Sequence, residues 1–199
     1  MRGAIVLAGG PSRRFGSPKP LASFRGRALV LWAVDAARAV ADEVAVVSRG
    51  PLAADLAALL PDEVPLIRDR LRVQSPLVGL VAGAGALRGR LVVALACDLP
   101  LLRPAVLARL FGYARGRDAA IPRWPDGRIE PLLAVYRRRA LLAAARAALR
   151  ARERSNQDMI RRLHDVRYVS TESLRSVDRD LRSFTNVNTR QEFDRAFRR

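Results

Sequence analysis

The sequence predicts an α/β domain with a mostly parallel sheet and helices on both faces. Three observations carry that expectation. Short, continuous apolar runs recur along the chain, as strands buried on both faces require. Each is closed by a turn-forming residue such as Gly, Pro or Asp. Between them lie stretches whose apolar positions repeat at helical spacing, so that strand and helix alternate from the start.

Ala4 to Ala8 is the first apolar run and stops at Gly9-Gly10. Leu29, Trp32, Ala33, Ala36, Ala37 and Val40 then form one face of an amphipathic helix over 28–40, with Asp35 and Arg38 on the other side. Val44–Ser48 reads as a second strand, Leu52–Leu60 as a helix ended near Pro61, and Pro65–Ile67 as a brief third strand leading to Asp69. From about Pro76 to Leu87 runs a Gly/Ala-rich helix whose small residues suit close packing on a sheet. Leu91–Ala96 is the clearest strand, followed by Cys97-Asp98-Leu99-Pro100. Pro104 opens a helix through about Ala114, at a position where its missing N–H costs nothing. Strands near Ala119–Pro122 and Glu130–Tyr136 flank a turn at Pro125-Asp126-Gly127. Ser155 is placed to cap a helix through Leu163, and Thr189-Arg190-Gln191-Glu192 has the form of a capping box. Nothing divides this order, so residues 1–199 are expected to form one domain.

Composition narrows the classes of function. No apolar run reaches the roughly 18 residues of a membrane span, and the first apolar stretch is too short for a signal peptide, so a soluble cytoplasmic protein with no membrane association is expected. Cys97 is the lone cysteine, which excludes an internal disulfide and a zinc site built on cysteine pairs. The net charge of +17 raises nucleic-acid binding as an alternative. Against it, aromatic residues that could stack on bases make up only 6% of the chain and are scattered. Lys19 is the single lysine among 36 basic residues. A compact ammonium where arginine is the habit suggests a place that needs a point charge.

In sheets of this kind ligands gather beyond the carboxyl ends of the strands, where the strand order reverses. After the first strand, Gly9 and Gly10 would let backbone N–H groups approach phosphate oxygens, with Arg13, Arg14 and Lys19 adding positive charge. The loop is neither a Walker A sequence nor a G-x-G-x-x-G fingerprint. An ordinary glycine turn is the plainer alternative. After the strongest strand, Asp98 is a hard oxygen ligand suited to Mg²⁺ bridging phosphates, or else a turn cap. Asp69, Asn186 and Asn188 are further polar candidates on loops. His164, the only histidine, falls away from these loops and is expected on the surface, and no G-x-S-x-G nucleophile elbow is present. A phosphorylated acceptor suits this equipment, since it is ionised at neutral pH and attacks without a general base.

Leu7-Ala8-Gly9-Gly10-Pro11-Ser12-Arg13-Arg14-Phe15-Gly16 with Lys19 resembles the opening signature of the molybdenum cofactor guanylyltransferase family. Four further segments are similar to that family in order: Ser75 to Leu80, Ala96 to Pro100, Glu130 to Tyr136, and Phe184 to Thr189. The resemblance implies a Rossmann-like nucleotidyltransferase fold and transfer of GMP from GTP to the phosphate of molybdenum-bound molybdopterin, with release of pyrophosphate and Mg²⁺ as cofactor. It implies nucleotide binding by Leu7, Ala8, Gly9, Gly10, Lys19, Asp69 and Asp98. Catalytic roles fall to Lys19, Asp98 and Arg14, and metal binding to Asp98 and Asn188. Implied partners are GTP, molybdopterin, and cofactor-handling proteins or molybdoenzymes. Two positions depart from the family pattern, where Ser75 replaces a glycine and Glu130 a glutamine. The alternatives are a cytidylyltransferase or another nucleotidyltransferase with a different phosphorylated acceptor, a domain that binds nucleotide without catalysis, and a basic nucleic-acid-binding protein.

Overall fold

The computed structural model describes residues 1–9, 18–50, 52–69 and 74–187. In chain order these form β1 (Arg2–Leu7), a hairpin of β2 (Ser23–Phe24) and β3 (Arg27–Ala28), α1 (Leu29–Arg38), β4 (Glu43–Arg49), α2 (Leu52–Leu59) and β5 (Leu66–Asp69). There follow α3 (Pro76–Ala86), β6 (Leu91–Ala96), α4 (Pro104–Tyr113), β7 (Ala119–Arg123), β8 (Leu133–Arg137) and α5 (Arg138–Arg150). The last elements described are α6 (Asn156–Ile160), β9 (Val166–Ser170) and α7 (Thr171–Leu174).

The main sheet has seven strands in the order β5-β4-β1-β6-β8-β7-β9. β1 pairs in parallel with β4 and β6, β4 with β5, and β7 with β9, whereas β8 is antiparallel to both β6 and β7. Among the described strands of this sheet, β8 alone runs against the others. The order reverses between β1 and β6, which is the switch point where such sheets open a crevice.

Alternate side chains of each strand feed two cores, as a period of two demands. Val6, Val46, Val93 and Leu95 face the side covered by α1, α2 and α4, with Leu56, Leu107, Leu110 and Phe111 packed against them. Ile5, Val47, Val92 and Ala94 face the side covered by α3, α5 and α6, where Leu80, Leu141 and Met159 close the core. On that second side glycine sets the spacing. A Cβ on Gly83 would lie 2.6 Å from the Ile5 side chain, and one on Gly79 would lie 2.9 Å from that of Leu7. These two positions let α3 settle directly on the sheet.

The α/β class and the sequence of strands and helices agree with the sequence reading. Differences have local causes. The strand expected from Glu130 begins only at Leu133, because Pro131 has no N–H to give a ladder and Glu130-Pro131-Leu132 closes as a turn, with the Leu133 N–H donating to the Glu130 carbonyl at 3.2 Å. α6 ends at Ile160, three residues before the expected limit, and the chain continues in tighter turns. Its start is as expected: Ser155 and Asp158 form a reciprocal capping box. The β2–β3 hairpin, α5 and β9 were not anticipated. The capping box expected at Thr189–Glu192 lies outside the described residues.

Candidate active site

The carboxyl ends of β1, β4, β5 and β6 lie along one edge of the sheet because these strands are parallel. β8 contributes its beginning to that edge, since it runs the other way. Residues from five strands therefore border the crevice at the switch point.

β1 ends at Leu7, and Ala8 continues the ladder by donating its N–H to the Val47 carbonyl at 2.8 Å. Both are buried, whereas Gly9 is exposed, with no atom of the described residues beyond its chain neighbours within 4 Å of the place a Cβ would occupy. A ligand can thus approach this backbone closely. Asp98 stands two residues beyond β6, and the N–H of Cys97 donates to the Leu7 carbonyl at 3.3 Å, which ties the two strand ends together.

Lys19 is delivered to the same place by a small independent unit. Pro18-Lys19-Pro20 opens a single 3-10 turn, and the β2–β3 hairpin follows. Arg25 and Gly26 hold φ values of 50° and 74°, the paired left-handed conformation of a tight two-residue hairpin turn. Ala22, Phe24 and Leu29 form a third small core with Trp32 and Leu101. The Trp32 indole stands edge-on to Phe24 and donates to its carbonyl at 3.1 Å. Since Leu101 lies just after Asp98, the unit that carries Lys19 is packed on the loop that carries the carboxylate.

The Lys19 ammonium donates to Oδ2 of Asp98 in an ion pair whose acidic side chain is only 14% exposed. The other carboxylate oxygen, Oδ1, is buried and accepts no hydrogen bond from the described residues. A buried, unsatisfied anionic oxygen is costly, and its presence at a cleft marks a place for a ligand that supplies positive charge. The Asp98 carbonyl accepts the N–H of Val187 at 3.1 Å, so the C-terminal segment passes beside the site.

Asp69 ends β5, three strands from β6. Strand spacing puts the two acids roughly 14 Å apart along the edge. The Asp69 side chain is 8% exposed and lies 3.7 Å from Arg49. Among the described residues no cluster of three or more His, Cys, Asp or Glu side chains could hold a metal ion by itself. Gly10, Arg14 and Asn188 lie outside the described residues, and so does Arg13. His164 is exposed, as expected.

Cys97 is inert. Burial pushes its thiol up to about 12, and the neighbouring Asp98 charge acts in the same direction. It serves as a small apolar residue at the strand end.

Asp98 also borders a cavity of about 260 Å³ lined by Leu99, Glu130, Asn156, Phe184 and Asn186 among others. Glu130 is fixed there by the Trp124 indole N–H, which donates to its Oε1 at 2.7 Å. Trp124 is held in turn between Phe184, edge-on with ring centroids 5.4 Å apart, and the Arg128 guanidinium, 5.5 Å from the ring centre. The buried Oδ1 of Asn156 also lacks a partner among the described residues. Ser75, the other departure from the family pattern, caps α3 by accepting the Leu77 N–H at 3.1 Å and donates to the Arg154 carbonyl at 2.7 Å. Asn186 was a sequence candidate, but Asn156 and Trp124 were not. Asn156 follows a helix cap and Trp124 a strand, and no local pattern signals that either reaches the crevice.

Comparison with known proteins places the chain in a family. Residues 4–166 match the model of the MobA-like NTP transferase domain. A Geobacillus protein named "Probable molybdenum cofactor guanylyltransferase" is 35% identical over 190 residues, covering 96% of this chain and 95% of that one. The molybdenum cofactor guanylyltransferase of Desulfosudis oleivorans is 34% identical over 197 residues, covering 96% of this chain and 92% of its own. The crystal structure of molybdopterin-guanine dinucleotide biosynthesis protein A from Archaeoglobus fulgidus superposes with a TM-score of 0.83 at 31% identity, covering 98% of this chain and 96% of that one.

Proposed function

Because this chain belongs to the MobA-like NTP transferase family, we propose that it transfers GMP from GTP to the terminal phosphate of molybdopterin bearing molybdenum and releases pyrophosphate. One observation carries the reading. At the switch point a lysine and a mostly buried aspartate meet, and one aspartate oxygen has no partner among the described residues.

The residues divide the work along the sheet edge. Leu7, Ala8, Gly9 and Gly10 are assigned to the nucleotide, Gly9 through its exposed backbone and Leu7 and Ala8 by anchoring that turn to the strand ends. Asp69 is assigned to the guanosine part, where its carboxylate can accept N–H or O–H donors. Lys19 turns from Asp98 to the triphosphate when nucleotide enters, and Arg14 adds charge there. Asp98, freed from the ammonium, would hold Mg²⁺ together with phosphate oxygens, and Asn188 is the second ligand proposed. The bound ion would neutralise charge on the triphosphate and orient it. A phosphate oxygen of the acceptor forms the new bond to the α-phosphorus while the bond to the bridging α–β oxygen breaks, and the electron pair leaves with pyrophosphate. No proton need be removed, which fits a site with no histidine.

Residues 1–199 are proposed to act as one domain in the cytoplasm, passing product to cofactor-handling proteins or molybdoenzymes. No described helix is long and apolar enough to cross a membrane. Calorimetric titration with GTP, CTP and ATP, with and without Mg²⁺, tests the reading, coupled to pyrophosphate release in the presence of molybdenum-bound molybdopterin. Magnesium-dependent binding and turnover with GTP are expected. A preference for CTP overturns the guanylyl assignment. Indifference to every nucleotide, with tight salt-sensitive binding to DNA or RNA instead, overturns the enzyme.

A further inference from the structure

The cavity beyond Asp98 is not accounted for by nucleotide binding. Its polar lining includes the Glu130 carboxylate, with one oxygen accepting from Trp124, an Asn156 amide oxygen with no partner among the described residues, Asn186, and Asp98, which is paired with Lys19. Phe184 and Leu99 supply apolar walls. At about 260 Å³ it lies just under the range of pockets for drug-sized molecules, so it suits one fused bicyclic ring. Such a ring could stack on an aromatic wall while hydrogen bonds at its edge fix orientation.

We propose that Glu130 is a specificity-determining residue that reads the acceptor's ring by accepting the N3–H and 2-amino donors of a 2-amino-4-oxopteridine, with the Asn156 amide completing the polar face. This rests on the transfer proposed above, since the acceptor named there carries a pterin. A carboxylate can accept two adjacent N–H groups side by side, as it does from arginine. The Trp124 indole removes rotational freedom from Glu130 before any ligand arrives. Because Asp98 lines the same cavity and pairs with Lys19, a ring seated at Glu130 lies beside the proposed transfer site, with its phosphate tail within reach of the nucleotide. The negative charge of Glu130 is then set against N–H donors of the ring.

The test compares pterin with lumazine, which carries a carbonyl in place of the 2-amino group. Both are titrated by their own fluorescence into the full chain, and GTP affinity is measured in parallel by calorimetry. The wild type is expected to prefer pterin by about 10- to 100-fold, the value of one hydrogen bond to a charged group. In Glu130→Gln the amide oxygen stays with the Trp124 indole and the NH₂ turns to the cavity, so the preference should reverse toward lumazine. Glu130→Leu should abolish discrimination, and Trp124→Phe should weaken it without removing the charge. GTP affinity should stay unchanged in all three variants. Equal binding of the two pteridines to wild type, binding of neither, or a Glu130→Gln variant that still prefers pterin overturns the assignment. If GTP binding and turnover persist in those cases, only the role of Glu130 has failed. If the wild type ignores GTP, the transfer itself has failed.

Discussion

Lys19 pairs with only one oxygen of the Asp98 carboxylate, and that arrangement sets what their variants should do. Asp98→Asn keeps the shape of the side chain but removes the charge that pairs with Lys19 and that is proposed to hold Mg²⁺. Turnover with GTP is expected to fall by about two to three orders of magnitude, a loss typical of removing one preorganised electrostatic group. Lys19→Ala should lose activity to a similar degree, and it should also lower thermal stability by leaving a buried carboxylate without its partner. Steady-state kinetics and thermal melts check both; an Asp98→Asn enzyme with wild-type kcat would remove the carboxylate from the mechanism. Cys97 offers a separate check on the compactness of this strand end. With its thiol held protonated up to about pH 12, alkylation of the folded protein at pH 8 should proceed far more slowly than in denaturant, because the nucleophilic thiolate is scarce and buried. Rapid labelling without denaturant would show that the strand end opens to solvent.

At the scale of elements, α3 gives a paired prediction from two glycines a half-turn apart. Gly83→Ala must displace Ile5 or Val47 and should cost about 1–3 kcal/mol. Gly85 faces solvent with nothing within 4 Å, so Gly85→Ala should add about 0.5–1 kcal/mol by restricting the unfolded chain. Urea denaturation of the two variants measures both signs, and two equal shifts would mean that α3 does not lie on the sheet as described. The elements that were readable from the sequence are those with strong local signals: apolar runs such as Leu91–Ala96, and the apolar stripe of α1. α5 was legible and was missed: Leu141, Ala144, Ala145 and Ala148 recur at helical spacing among arginines, a strongly amphipathic pattern. β9 escaped because an edge strand exposes Arg167 and Tyr168 and never forms a continuous apolar run. The direction of β8 is also invisible to periodicity, yet it brings Glu130 to the same edge as Asp98. Lys19, Asp69 and Asp98 could be picked out because each stands near a strand end or glycine turn. Asn156 could not, because its place depends on how α6 packs.

Across the whole molecule, the net charge of +17 makes the surroundings of the site attractive to polyanions. The KM for GTP is expected to rise several-fold between about 50 and 500 mM salt, as screening shortens the reach of those charges, while kcat changes less because the groups in contact with substrate are partly shielded. Initial-rate measurements across a salt series decide this, and a flat KM would assign the arginines no part in capture. The strand directions have one more consequence. Everything assigned to chemistry sits along one rim of the sheet, which leaves the opposite rim silent. There the exposed Arg115-Gly116-Arg117 turn, with Gly116 at a φ of 75°, joins α4 to β7. A dye, a tether to a solid support or a fused second protein attached at this turn would report on the enzyme or hold it in place without standing in the path of either substrate.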